Sequence, residues 1–536
     1  MLKRLTSWMH QQSSPLLLSG TESTMSKINR RTFIALSVAG AGVALGTSCA
    51  IGQNSKQTSK SPIAGSSLHQ SRDGLLELDL EASSGAVDLG GQQAYLLTYN
   101  GQIPAPRLEA KPGDTVRIHF TNNLSQPTNL HYHGLHIPVT GNADNVFLSI
   151  EPGERTDYEF TIPQDHPAGT FWYHPHRHGL VAEQLFGGLA GLFIVRGELD
   201  DIPEIQAAQE EFLVLQDFAL DENGRMLPSN QMSAMTGREG QLITINGQLN
   251  PTLSIPANGL LRWRILNASP SRFYRLSLDN HPFYLIATDG GSLAEPVELS
   301  ELLLTPGQRA EVLVRGDRNP GQYSLRNLPY NRGGMGMMGG QGMMGGRGRM
   351  GGQGMMGGRG MMGGQGMMGG RGMMGREDNA PTVLATLNYE NAVEPVPLPT
   401  KLLSIPTLPE PQQVRRFQLN HGMEPGMGMV FLINGQPYKS DRIDTQVQLN
   451  TVEDWEIVNT GMMDHPFHIH TNSFQVISRN GKSEPYPAWT DTVLVPRGET
   501  VRIRIPFRDF AGKTVYHCHI LDHEDLGMMG NLEIQT

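Results

Sequence analysis

At 536 residues the chain is too long for one ordinary domain and fits three of roughly 130–180 residues each. A formal charge of -10 with no long basic run gives no electrostatic reason to expect nucleic acid as a partner, and two cysteines, Cys49 and Cys518, exclude a disulfide framework. A hydrophobic share of 38% is enough for a buried core.

Residues 1–50 read as an address rather than a domain. Arg30 and Arg31 precede an apolar run from Ala35 to Leu45, bounded by Gly46-Thr47-Ser48. A basic start and a short apolar stretch make the pattern of a signal peptide, too short to span a bilayer. The paired arginines resemble a twin-arginine signal, which predicts the twin-arginine export machinery as a partner and a periplasmic or extracellular destination. Met25 is a candidate initiator. A lipid anchor at Cys49 is the weaker reading, because Gly46 stands where such a signal prefers a larger apolar residue. Residues 51–75 follow as a linker, and no later segment is expected to span a membrane.

Beyond it one pattern occurs three times. Asn100-Gly101-Gln102, Asn246-Gly247-Gln248 and Asn434-Gly435-Gln436 each follow an apolar or aromatic stretch. Each is succeeded by an alternating segment (Thr115 to Phe120, Leu261 to Ile265, Asp454 to Val458) that runs on to an asparagine, Asn122, Asn267 or Asn459. Period-two alternation between turn residues predicts half-buried strands, and long helical periodicities are scarce. The expected fold is all-β, three Greek-key β-sandwich domains over 76–200, 205–330 and 413–536.

The interval from Gly247 to Gly435 exceeds that from Gly101 to Gly247 by the length of the tract Gly334–Gly375. That tract, within a low-complexity insertion spanning 331–378, repeats Gly-Met-Met-Gly-Gly-Gln and Gly-Met-Met-Gly-Gly-Arg and holds about half of the 27 methionines. Glycine at this density cannot offset the entropy of ordering, so disorder is expected. Thioethers suit Cu(I), which makes copper handling one reading and a flexible linker the other; Arg347, Arg359 and Arg371 favour the second. Residues 379–412 read as a linker.

Ten of the 18 histidines fall in four clusters: His131-Tyr132-His133, His174-Pro175-His176, His465-Pro466-Phe467-His468-Ile469-His470, and His517-Cys518-His519 with His523. On a strand, residues i and i+2 share a face about 6.5–7 Å apart, which suits two neighbouring metals better than one. Imidazole alone does not choose among copper, zinc, iron and nickel. Cys518 does, because two histidines, a thiolate and a distant methionine (His465, Cys518, His523, Met528) are a blue-copper electron-transfer set. In His517-Cys518-His519 the cysteine faces away from its neighbours, so one segment serves two centres.

The four clusters, in this order and with His523 and Met528 five and ten residues after Cys518, resemble the multicopper oxidases from about Leu76 to Thr536. The bacterial copper-tolerance oxidases are the nearest subgroup, sharing the ending His523-Glu524-Asp525-Leu526-Gly527-Met528-Met529. The resemblance implies cupredoxin-like domains and four copper ions. It assigns a type 1 copper to His465, Cys518, His523 and Met528, and a type 2 copper to His131 and His468. A type 3 pair would take His133, His174, His176, His470, His517 and His519. It further implies one-electron oxidation of Cu(I), phenols or other small reductants, coupled to reduction of O2 to water in copper tolerance, by a monomer. Glu524 and Asp144 resemble the family's proton donors. The carboxylate that helps those oxidases bind substrate copper is here Gly461; Met462, Met463 and Asp464 are the nearby substitutes. The second domain keeps only His281-Pro282-Phe283 and reads as a spacer. The alternatives are a broad laccase or bilirubin-oxidase-like enzyme and a non-catalytic exported scaffold.

Overall fold

In the computed structural model, which describes residues 66–334, 380–426 and 428–536, the threefold pattern has a backbone cause. Asn100-Gly101, Asn246-Gly247 and Asn434-Gly435 all take positive φ at both residues (52° and 69°, 53° and 74°, 54° and 75°). That is the type I′ turn, whose twist matches the strands it joins and which few residues but Asn and Gly adopt without strain. Each turn is closed by a bridge from the residue before to the glutamine after: Tyr99 to Gln102, Ile245 to Gln248, Ile433 to Gln436.

The alternating segments are the strands Thr115–Asn123, Leu260–Asn267 and Thr451–Asn459. Each lies parallel to an earlier strand (Leu75–Leu89, Gln209–Phe218, Gln413–Glu424) and antiparallel to a later one (Arg155–Thr161, Arg309–Arg315, Thr500–Phe507). The asparagine ending each strand is a clamp. Asn122 Nδ2 donates to Ile150 O and its Oδ1 accepts from Leu124 N; Asn267 does the same with Leu304 O and Ser269 N, and Asn459 with Val495 O and Gly461 N, all at 2.8–3.0 Å. The clamp needs a donor and an acceptor on one short side chain, which Asn supplies and Asp does not. The third copy fixes the loop that delivers His465.

Among the described residues the strands form six sheets, two in each repeat. Each pair encloses its own core, around Phe120 and Tyr158, around Trp263 and Phe283, and around Trp455, Phe467 and Tyr516. Burying each such side chain stabilises the fold by roughly 1.5–3 kcal/mol. Thr115–Asn123 alternates between buried and partly exposed residues, as a half-buried strand should, but Leu260–Asn267 is buried throughout. The cause is electrostatic pairing between domains. Arg262 and Arg264 leave water because Glu311, Asp200 and Glu210 meet them at 2.5–2.6 Å, and Thr170 of the first domain donates to Glu311.

Two linker expectations are corrected. Leu68–Gln70 and the start of Leu75–Leu89, expected within the 51–75 linker, are strands of the first sandwich, the former parallel to Arg107–Ala110. Thr382–Ala392, expected within the 379–412 linker, completes the second sandwich, parallel to Thr252–Ala257 and antiparallel to Gln322–Leu328. Its Leu384, Ala385 and Leu387 enter that core. The insertion therefore interrupts the second domain between two neighbouring strands. Apart from Gly334 the Gly/Met tract lies outside the described residues, as do the export signal and Cys49. Among the described residues no helix is long and apolar enough to cross a membrane.

Candidate metal centres

The strand Gly512–Cys518 pairs with His465–Ile469 on one side, placing Cys518 opposite Phe467 and His517 opposite His468. Pleating then sends Cys518 one way and His517 and His519 the other. Past Cys518 the chain turns into the short helix Leu521–Asp525, which brings His523 back over the thiol, and Met528 N closes the loop onto His523 O at 2.8 Å.

Three ligand atoms converge there. Cys518 Sγ lies 3.4 Å from His465 Nδ1 and 3.9 Å from His523 Nδ1, and the two nitrogens are 3.3 Å apart. One ion with bonds of about 2.0–2.3 Å can bridge such spans. Met528 is buried in the same apolar cluster as Cys518. The Phe431 ring stacks on His523 at 3.7 Å, and His523 Nε2 faces the Met235 carbonyl at 3.3 Å. A carbonyl only accepts, so Nε2 carries the proton and Nδ1 is left free as a ligand. Burial lowers His465 to about 3 and holds His523 well below its ordinary value, which favours the neutral form of both. Burial pushes the Cys518 thiol up, so a thiolate here requires a cation beside it, which a bound metal provides.

On the other face, two histidine groups meet across the boundary between the first and third domains. His131 stacks on His470 at 3.8 Å, and His133 on His468 at 3.9 Å. His517 Nε2 lies 3.1 Å from both His176 Nε2 and His470 Nε2. The triads His131–His133–His174, His131–His468–His470 and His176–His470–His517 each have ligand atoms within 4.8 Å of one another. His174, His468 and His517 turn Nδ1 to backbone carbonyls at 2.8–3.0 Å, and His131 turns Nδ1 to Asp144. Buried imidazole nitrogens ordinarily find partners, yet His131 Nε2, His133 Nδ1, His174 Nε2, His468 Nε2, His470 Nδ1 and both nitrogens of His519 have none in the protein. Burial also holds His131, His133, His176, His470, His517 and His519 well below their ordinary values, and His174 at about 3. Neutral, unpaired and convergent, they fit a group of bound metal ions.

Three carboxylates reach this basin. Asp144 Oδ1 lies 2.9 Å from His131 Nδ1 and accepts from Tyr132 N, while burial raises its carboxyl to about 7. Glu524, on the short helix, has its oxygens 3.3 Å from His517 Nδ1 and 3.8 Å from His176 Nε2; burial, and then Asp525, push it well above the usual range. Asp491 is the residue that sequence reasoning missed. Its Oδ1 is 2.9 Å from His133 Nε2 and 3.4 Å from His468 Nδ1. Burial opposes its charge, but the Arg309 guanidinium and then His133 outweigh burial and hold Asp491 well below the carboxylate range. In the sequence it is a lone carboxylate before the apolar strand Thr492–Val495, which carries no signal of its own.

The substrate-copper candidates separate. Asp464 is buried and committed, accepting from Tyr330 Oη and Arg497 N at 2.9 Å. Met463 is buried and Met462 half-buried. A Cβ on Gly461 would stand 3.5 Å from His465 Nε2 and 3.8 Å from His421 Nδ1, so that position borders the Cys518 centre.

Fold and ligand sets together describe a metal-dependent redox protein of three β-sandwich domains. Multicopper oxidase family models match residues 82–200, 210–338 and 406–536. A multicopper oxidase of Staphylococcus haemolyticus is 29% identical over 449 residues, covering 82% of this chain and 83% of that one. The bilirubin oxidase of Albifimbria verrucaria is 28% identical, covering 82% and 73%. A cell division protein of Proteus mirabilis is 29% identical, covering 94% and 98%. The solved structure of a Campylobacter jejuni multicopper oxidase, described as a metallo-oxidase, superposes with a TM-score of 0.74 at 33% identity, covering 88% and 94%. The chain belongs to the multicopper oxidase family, and its three domains are cupredoxin-like. It is an oxidoreductase with copper cofactors.

Proposed function

We propose that the chain takes electrons singly from Cu(I), and secondarily from phenols and other small reductants, at the Cys518 centre and delivers them to dioxygen at the eight-histidine basin, forming water in the service of copper tolerance. The observation that carries this is the segment His517-Cys518-His519: its sulfur converges with His465 and His523, while both flanking imidazoles enter the basin. No other described element joins the two centres so directly.

Four coppers fit this reading, one at His465, Cys518, His523 and Met528, one at His131 and His468, and a pair among His133, His174, His176, His470, His517 and His519. When bound, they supply the one-electron redox chemistry and the binding of dioxygen. The chain does the rest. Phe431 covers His523 and limits reductants to outer contact. Carbonyls and Asp144 fix the tautomers that keep ligand nitrogens unprotonated. Glu524 and Asp144, whose carboxyls burial raises (Asp144 to about 7), stand where protons are consumed.

Cu(I) as the principal reductant is supported by half-buried Met462 beside Gly461 and by the thioethers of the methionine tract. The broad laccase reading is favoured by one specific feature, the engagement of Asp464 by Tyr330 and Arg497, which removes the nearest carboxylate from a substrate cation. The scaffold reading, despite the similarity to a cell division protein, leaves eleven converging side chains (eight basin histidines with His465, Cys518 and His523) without a role. Export by a twin-arginine signal is part of the proposal and is supported by Arg30-Arg31 and the run Ala35 to Leu45. Oxygen uptake measured side by side with Cu(I), a phenol and Fe(II) tests the substrate order. A kcat/KM for Cu(I) above that for the phenol is expected; the reverse order establishes the laccase reading.

A further inference from the structure

The second domain donates no imidazole to either centre. Its motif remnant, His281, turns away to Asp279 O and Tyr389 Oη. Its turn Thr305–Arg309, expected to lie in a spacer, is nevertheless pressed against the basin. Gly307 lies flat on His519, with a φ of +82°, and a Cβ there would stand 2.8 Å from the ring. Gln308 Nε2 donates to Thr492 O at 3.0 Å.

Arg309 follows, fully buried, and all five of its N–H donors are used. Nε donates to Thr170 O (2.9 Å), Nη1 to Gly307 O and Asp491 Oδ1 (both 3.0 Å), and Nη2 to Asp289 O (3.0 Å) and Asp491 Oδ2 (2.6 Å). The same Asp491 holds both histidines, its carboxylate 2.9 Å from His133 Nε2 and its backbone carbonyl 2.8 Å from His468 Nδ1, with the carboxylate 3.4 Å from that nitrogen. Gly134, next to His133, leaves room for the pair: a Cβ there would fall 2.3 Å from Arg309 Nη2 and 2.6 Å from Asp491 Oδ2. One guanidinium therefore ties together the first domain (Thr170), the second (Asp289, Gly307) and the third (Asp491), directly behind two basin histidines.

We propose that Arg309 is a positioning residue for the basin: its fork locks the Asp491 carboxylate, which in turn orients His133 and His468, so that the ligand-free second domain sets the geometry of the copper cluster. A lysine cannot do this, because it presents one point charge in place of a planar fork. This inference rests on the eight histidines holding copper. Partners of this kind alter metal affinity even though they bind no metal.

The test compares Arg309→Lys and Arg309→Met with wild type and with Arg262→Met, which removes a buried arginine from the same sheet without touching Asp491. The readouts are copper per chain during titration with a chelator and the hyperfine splitting of the type 2 copper in electron paramagnetic resonance. Both Arg309 variants should weaken retention of the type 2 copper roughly 10–100-fold and shift its hyperfine splitting, while blue absorption per chain stays at the wild-type value. Arg262→Met should lose only thermal stability. Wild-type retention and splitting in Arg309→Lys, or equal changes in Arg262→Met, overturn the inference. If Arg309→Met does not fold, Arg309→Lys decides alone. A wild type with no type 2 signal overturns instead the copper reading on which the inference stands.

Discussion

The two centres share two paired strands, Gly512–Cys518 and His465–Ile469, and differ in almost everything else. The Cys518 centre is built from one domain, is flanked by Phe431, Phe467 and Ile520, and has its nearby carboxylate, Asp464, turned away to Tyr330 and Arg497. The basin is built from two domains and braced by a third, and Asp144, Asp491 and Glu524 reach into it. The difference follows the chemistry each can support. Electron transfer changes charge by one unit and suits a dry, rigid, apolar shell. Reduction of dioxygen to water consumes protons and needs groups that hold them near neutrality.

The largest effect should come from breaking the sulfur link at Cys518. Cys518→Ser should abolish the intense absorption near roughly 600 nm and reduce oxidase activity to background, because the soft ligand and the direct path vanish together. The copper bound by the eight histidines should stay, as metal analysis will show. Loss of all copper would mean that the two centres are one structural unit.

A change on the basin side alone should sharpen the contrast. Glu524→Gln is expected to slow reoxidation by dioxygen roughly 10²–10⁴-fold while anaerobic reduction of the blue copper by substrate proceeds at the wild-type rate. The sign with pH follows from the raised carboxyl. Its acid form is the donor, so the wild-type rate falls as pH rises through that value, and the Gln variant should lack this limb. Equal slowing of reduction and reoxidation in stopped flow would indicate damage around His523 instead.

The three asparagine clamps offer a smaller test. Asn267→Ala and Asn459→Ala should each cost about 1–3 kcal/mol, since each leaves a buried carbonyl unpaired. Chemical denaturation measures that loss. Only Asn459→Ala should also shift the blue absorption, because only its loop carries His465. A shift in both variants would show that the second domain holds the Cys518 centre through the Asn267 loop as well as through Met235.

The smallest effect is expected from the methionine tract. Its flanking strands are neighbours in one sheet, with Asn327 opposite Thr382, so removal of Gly334–Gly375 shortens a hairpin connection. Melting temperature and copper per chain should match the full chain. A reduced kcat/KM for Cu(I) with these unchanged would give the thioethers a role in gathering substrate; unchanged kinetics would make the tract a linker.

Much of this architecture was legible because it is local. An Asn-Gly pair at positive φ, an asparagine clamp at a strand end, and His-x-His on a strand all announce themselves within a few residues. The boundaries were less legible. Thr382–Ala392 alternates well enough to be a strand, but beside the low-complexity tract nothing marks which sheet it completes. Asp491 and Arg309 were invisible for a deeper reason. A single carboxylate before an apolar strand, or a single arginine after a turn, has meaning only through what the tertiary fold brings to it. Asp491 is separated from His133 by 358 positions and from Arg309 by 182.

The most direct test of the account is anomalous X-ray scattering at the copper absorption edge from crystals of the copper-loaded protein. One peak is predicted among His465, Cys518 and His523, and three among the eight histidines of the basin. A basin without copper, or a Cys518 centre holding zinc or no metal, would contradict it.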